Sequence, residues 1–231
     1  MSRPLDLAIL GLSITSAWGN GHATTFRSLV RGLQEEGHRV LFLERDVPWY
    51  AANRDLPEPP HGETALYGSL DGMLARWGDR LRRADAVIVG SYVPEGVALI
   101  DRLAALGPRR LCFYDIDTPV TLARLDAGDE EYLAARQIAL FDTYLSFAGG
   151  PVLTHLERAR GARRAVALYC SVDPELYPPR PDAAIRWDLG YLGTYSDDRQ
   201  PTLEALLIEP ARRLPGRRFV VAGPQYPAGI D

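Results

Sequence analysis

Leu7-Ala8-Ile9-Leu10-Gly11 opens the stretch whose reading decides the fold, and Gly19-Asn20-Gly21-His22 closes the loop that follows it. Beyond that loop, Phe26, Leu29, Val30 and Leu33 recur at the three- and four-residue spacing of one helical face. Gly37 stands where a left-handed C-terminal cap belongs, and Val40-Leu41-Phe42-Leu43 restarts an apolar run. Strand, loop, helix and strand make a βαβ unit running from Leu7 to Glu44. In an open parallel sheet such a unit delivers its first loop to the carboxyl edge of the strands, where ligands bind, and glycines there let backbone approach a substrate closely. His22 is the ionisable group of this turn. An imidazole at that edge can take a proton from a hydroxyl, although a turn with His22 merely hydrogen-bonded at a helix start is also open. The three-glycine pattern Gly-x-Gly-x-x-Gly is missing, which argues against NAD.

Working outward, Pro48 to Gly62 is rich in proline and polar residues and carries Trp49 and Tyr50, so an irregular loop beside the ligand edge is expected. Ser69 suits the cap of a helix with Leu70, Met73, Leu74, Trp77 and Leu81 on its apolar face, and Ala86 to Gly90 reads as a buried strand with Ser91 and Tyr92 at its carboxyl end. Pro94 suits a first helical position, and Gly107-Pro108 stops that helix before the strand Leu111 to Tyr114. Thr118 is read as the N-cap of the next helix and Pro119 as its first residue. Thr143 to Phe147 and Ala165 to Leu168 are further strands, separated by a helix from Pro151.

Asp115 and Asp117 stand at the strand-to-helix junction and admit three readings: capping the helix that follows, an Asp-x-Asp site for a divalent cation and a sugar diphosphate, or orientation of His22. Of the two, Asp117, nearer the helix start, suits the last role. Pro174 to Pro181 holds four prolines, which keep the backbone extended as in a stiff linker. A new unit then begins with the strand Leu189 to Gly193, a polar loop from Thr194 to Gln200, a helix from Pro201 and a strand Phe219 to Gly223. Arg199 closes the polar loop, where a guanidinium can take a diphosphate in bidentate fashion.

Composition narrows the chemistry. With 46% hydrophobic residues in 231 the chain can bury a core, and the formal net charge of -4 suggests no general attraction to nucleic acid or an anionic membrane surface. Every basic residue is Arg, so this sequence offers no lysine amine for Schiff-base or Walker-type chemistry. Cys112 and Cys170 lack metal-ligand spacing and read as buried thiols of a reduced compartment. No apolar run approaches the ~20 residues of a bilayer span, and no basic segment leads into a signal-peptide core. The expected setting is cytoplasmic, without a membrane span or a nucleic-acid partner.

The Gly-x-Gly-His turn, the bridge Ser171-Val172-Asp173-Pro174-Glu175-Leu176-Tyr177-Pro178 and the two tandem α/β units resemble the GT-B glycosyltransferases. Tyr114 to Thr121 and Asp188 to Ser196 are similar to the CgeB-like (spore-maturation type) branch. The resemblance implies an α/β chain of two Rossmann-like domains, the second incomplete here: an acceptor domain over 1–171, a Pro-rich linker over 172–187, and the start of a nucleotide-sugar-binding domain over 188–231. It implies sugar transfer from a nucleotide-sugar, the co-substrate, to a hydroxyl of a saccharide or other small-molecule acceptor in the interdomain cleft, with no other cofactor and no protein-bound metal. His22 and Asp117 match the places of the catalytic base and its helper. Gly19, Asn20, Gly21, Ser91, Tyr92, Asp115 and Thr118 would meet the acceptor, and Gly193, Thr194, Tyr195, Ser196, Arg199, Gly223 and Pro224 the donor. Two rivals remain beside it: a catalytically silent GT-B-like protein that binds glycan or assembles a surface, and a manganese-dependent GT-A enzyme using Asp115 and Asp117.

Overall fold

The computed structural model describes residues 3–224 and 226–227. The chain divides into two compact units, Met1–Tyr177 and Pro178–Asp231. In the first, seven parallel strands form one sheet: β1 (Asp6–Gly11), β2 (Arg39–Arg45), β3 (Glu63–Tyr67), β4 (Ala86–Gly90), β5 (Leu111–Asp115), β6 (Thr143–Ser146) and β7 (Ala165–Ala167). Their order is β3-β2-β1-β4-β5-β6-β7, so the direction of winding reverses between β1 and β4. In open α/β sheets, the loops leaving the carboxyl ends at such a reversal flank the ligand crevice.

The strand period of two sorts the core into two faces. Ala8, Leu10, Leu41, Leu43, Val87 and Val89 point to one side, where they pack with Met73 and Leu81 of α3 (Leu70–Arg83) and Leu99, Ile100 and Leu103 of α4 (Gly96–Leu106). Ile9, Val40 and Phe42 point to the other, under Phe26 and Val30 of α1 (His22–Glu35). Both faces are covered, which is why the strands read as unbroken apolar runs. Ends follow the expected chemistry in several places. Gly37 (φ 84°) and Gly107 (φ 68°) are left-handed just past α1 and α4, and Ser69 Oγ accepts from the Gly72 amide at 3.1 Å to cap α3.

Five local expectations are corrected. The Pro48 to Gly62 stretch is not wholly irregular: Pro48–Ala51 forms a short helix, α2, that buries Tyr50. Strand β3 was missed because it is an edge strand with Glu63 and Leu66 exposed, so its pattern is weak. Helix α4 starts at Gly96 after Glu95 in left-handed conformation (φ 58°), and a side chain at Gly96 would stand 2.3 Å from the Tyr132 carbonyl oxygen. The cap of α5 (Thr118–Asp126) is Asp117, while the Thr118 hydroxyl turns to Ser146 Oγ at 2.7 Å. Cys170 is exposed rather than buried, and Cys112 is partly buried.

After α6 (Pro151–Arg158) and β7, the second unit pairs β8 (Leu189–Leu192) with β9 (Phe219–Ala222) in parallel. Between them run α7 (Gln200–Leu203), a π-helical turn over Glu204–Ile208 and α8 (Glu209–Arg213). Gly193 and Gly223 meet beyond the carboxyl ends of this pair. A Cβ on Gly223 would lie 1.9 Å from the Gly193 carbonyl oxygen, so only glycine permits that approach.

Candidate active site

At the winding reversal, the loop after β1 ends in His22 and the loop after β4 begins with Ser91 and Tyr92. His22 is the first residue of α1 and is only 5% exposed. Asn20 fixes this turn: its Oδ1 accepts from the Ala23 amide at 3.1 Å, and its Nδ2 donates to the Ser16 carbonyl at 3.1 Å. Gly19 supplies the positive φ of the turn (64°). The imidazole packs against Phe26 and meets the edge of the Tyr92 ring, centroids 5.6 Å apart at 86°. Its Nε2 faces Asp117 Oδ2 at 3.6 Å, and its Nδ1 is buried without a hydrogen-bond partner.

Asp117 is placed for this by what its neighbours take over. It occupies the N-cap of α5 yet makes no side-chain capping bond, and its carboxylate is 42% exposed. Its backbone amide instead donates to Asp115 Oδ1 at 3.1 Å. Asp115 is fully buried: Oδ1 also accepts from Thr121 Oγ1 at 2.7 Å, and Oδ2 from the Tyr144 hydroxyl at 2.6 Å. Burial raises its carboxyl above the usual carboxylate range, against those hydrogen bonds.

The expected acceptor contacts therefore separate into two groups. Gly19, Asn20, Gly21 and Tyr92 lie at the rim. Ser91, Asp115 and Thr118 are fully buried beneath it, with Ser91 Oγ accepting from the Ile116 amide at 3.1 Å and Thr118 engaged by Ser146. They build the site from beneath the rim, their polar atoms bonded within the fold. The same burial separates Asp115 from Asp117 as a chelating pair, and among the described residues no group of three or more His, Cys, Asp or Glu converges on one point.

Tyr92 is held in left-handed conformation (φ 62°), its ring tilted against that of Tyr132 at 4.5 Å and under the Arg124 guanidinium at 5.8 Å. A non-glycine residue there carries strain that its packing must offset. Burial raises its phenol, and the Asp117 charge adds to that.

In the second unit, Gly193, Thr194, Tyr195 and Ser196 follow β8 and Gly223 and Pro224 follow β9. The backbone amides of this loop are partly spent: Gly193 donates to the Ala222 carbonyl at 2.9 Å and Tyr195 to that of Pro224 at 3.1 Å. The Tyr195 hydroxyl donates to Asp197 at 2.7 Å, and Ser196 Oγ bonds Asp198. Arg199 is exposed at the start of α7.

Sequence reasoning missed Glu44. It ends the apolar run of β2, is fully buried, and grips the loop before His22 through Ser13, Ile14 and Thr15. The available signal was a lone carboxylate at the carboxyl end of a buried strand.

No family model and no curated protein matches this sequence. Solved structures do. An alpha-glucosyltransferase in complex with UDP-glucose and DNA containing an abasic site is similar with TM-score 0.58 and 13% identity, over 96% of this chain and 58% of that one. The glycotransferase of kitacinnamycin matches with TM-score 0.55 and 18% identity, over 100% and 69%. A ugt transferase from Siraitia grosvenorii in complex with UDP matches with TM-score 0.51 and 10% identity, over 98% and 64%. The fold is that of the GT-B glycosyltransferases. The chain spans a little over half the length of the alpha-glucosyltransferases it matches. Those enzymes are held with DNA, which overturns the expectation that excluded a nucleic-acid partner. A net charge summed over a whole chain does not govern what one local groove accepts. Among the described residues no helix is long and apolar enough to cross a membrane.

Proposed function

We propose that this protein is a GT-B glycosyltransferase, on its sequence segments of the CgeB-like branch, that moves a sugar from a nucleotide-sugar to an acceptor hydroxyl with His22 as general base. The observation that supports it most is the facing pair His22 Nε2 and Asp117 Oδ2 at the winding reversal, with the carboxylate reaching solvent and the imidazole walled by Phe26 and Tyr92. At 3.6 Å the pair exceeds a hydrogen bond, so an acceptor hydroxyl arriving from the Asp117 side would donate its one proton to Nε2 with the carboxylate charge beside it. In the reaction Nε2 takes the hydroxyl proton, the freed oxygen bonds the anomeric carbon, and the bond from that carbon to the diphosphate breaks. Asp117 then faces the imidazolium and stabilises its charge. The loops after β8 and β9, with Arg199, would receive the diphosphate.

The test is UDP release from UDP-glucose, with saccharides, small alcohols and DNA as acceptors, comparing wild type with His22→Ala. DNA belongs in that panel because the similar alpha-glucosyltransferases were captured with it. Acceptor-dependent release that His22→Ala loses supports the reading. Saccharide binding with no transfer from any donor would favour the catalytically silent rival.

A further inference from the structure

Glu44 is the last but one residue of β2, paired in register with Gly11 of β1, and its side chain is completely buried. A carboxylate in that position is costly unless several donors satisfy it. Four do: the Ile14 amide at 2.7 Å and the Thr15 amide at 3.0 Å on Oε2, and the Thr15 hydroxyl at 2.7 Å and the Ser13 hydroxyl at 3.1 Å on Oε1. All four belong to the loop that leaves β1.

From this anchor a continuous set of hydrogen bonds runs to α1. Ser13 Oγ accepts from the Ser16 amide at 3.0 Å, the Ser16 carbonyl accepts from Asn20 Nδ2 at 3.1 Å, and Asn20 Oδ1 accepts from the Ala23 amide at 3.1 Å, one residue past His22. A second branch returns from the helix, where Arg27 Nε donates to the Ile14 carbonyl at 2.8 Å. A loop of ten residues without regular structure is thereby anchored at its start on one buried carboxylate and tied at its far end by Asn20.

We propose that Glu44 is a positioning residue, which through the Ser13–Asn20 loop sets where the His22 imidazole stands against Asp117. Its catalytic consequence rests on the reading of His22 as base; its structural consequence does not. Geometry makes a sharp distinction between substitutions. In Glu44→Gln the amide oxygen can keep the two backbone donors, while its NH2 donates to the Ser13 and Thr15 hydroxyl oxygens, which rotate to accept. Glu44→Leu leaves two buried amides unpaired.

The experiment follows the Ile14 and Thr15 amides by hydrogen exchange and the His22 ring signals by NMR across a pH series, together with UDP release from UDP-glucose. Glu44→Leu should lose about tenfold or more in amide protection and displace the His22 ring signals, and Glu44→Gln should restore both. Where transfer is measurable, Glu44→Leu should lower turnover roughly 10²-fold, as expected for a base misplaced by about 1 Å. Thr15→Val, which removes one hydroxyl donor from the same carboxylate, gives a milder version should Glu44→Leu fail to fold. Unchanged His22 signals and amide protection in Glu44→Leu and Thr15→Val would overturn the proposal, as would a Glu44→Gln protein as displaced as Glu44→Leu. Equal UDP release by His22→Ala and wild type would overturn the base assignment alone, and the NMR arm decides the role of Glu44 independently.

Discussion

His22 Nε2 and Asp117 Oδ2 face each other across 3.6 Å because Asp115, not Asp117, takes up the side-chain hydrogen bonds at the start of α5. Asp115 accepts the Asp117 amide and the Thr121 hydroxyl, which leaves the Asp117 carboxylate turned toward the loop after β1. The two aspartates thus divide one junction between them, the buried one as scaffold and the exposed one as a charge beside the imidazole.

On that division, His22→Ala should lose about 10²–10⁴-fold in transfer, the usual worth of general-base assistance. Asp117→Asn should lose at least about tenfold, equivalent to ~1.4 kcal/mol of barrier. Steady-state UDP release measures both, and circular dichroism checks the fold. A His22→Ala protein as active as wild type would end the assignment.

Chelator should leave transfer unchanged, since Asp115 has no oxygen to offer a cation beside Asp117. Activity abolished by chelator and restored by manganese would favour the GT-A rival.

Asp115→Asn and Asp115→Ala should part company in stability. The buried carboxyl titrates above its unfolded value near 3.8, so its charged form costs stability that appears as pH rises through that window and persists at neutral pH. Asparagine keeps hydrogen-bonding partners for Tyr144, Thr121 and the Asp117 amide without the charge, and should match or exceed wild type in melting temperature at neutral pH. Alanine leaves those partners unpaired, at about 1–3 kcal/mol each. Thermal melts between acid and neutral pH decide it.

Asp55 carries the opposite sign. Its paired hydrogen bonds with Arg27 hold its carboxyl down to about 2, below the ordinary 3.8, and it also accepts from the Ala17 amide at 2.7 Å. The stabilisation is present above the unfolded value and is lost as pH falls through about 2. With half its side chain in solvent the effect is small and local. Exchange at the Ala17 amide should accelerate on acidification from about 4 to 2, and Asp55→Ala, which removes the acceptor, should already exchange fast at neutral pH.

Gly11→Ala should destabilise the first unit by about 1–3 kcal/mol through overpacking. A Cβ there would stand 2.3 Å from the Phe42 ring and 2.8 Å from that of Phe26. Urea unfolding followed by tryptophan fluorescence would show it, and an unchanged midpoint would count against the tight junction of β1, β2 and α1.

By itself the sequence determined the parallel α/β architecture and the glycine turn carrying His22. Both rest on local properties: the three- and four-residue spacing of Phe26, Leu29, Val30 and Leu33, and apolar strands long enough to be buried on both faces. It could also point to the junction at Asp115 and Asp117, because a polar pair between a buried strand and a proline-started helix marks the carboxyl edge. Only the tertiary structure decided which aspartate is buried, since that depends on Thr121 and Tyr144 arriving from α5 and β6. The burial of Ser91 and Thr118 and the left-handed turn at Tyr92 were settled in the same way, by neighbours distant in the chain. Glu44 belongs with them: its charge is plain in the sequence, but its role exists only where β2 ends beside the loop that leaves β1, a register fixed by strand pairing rather than by the residues around it.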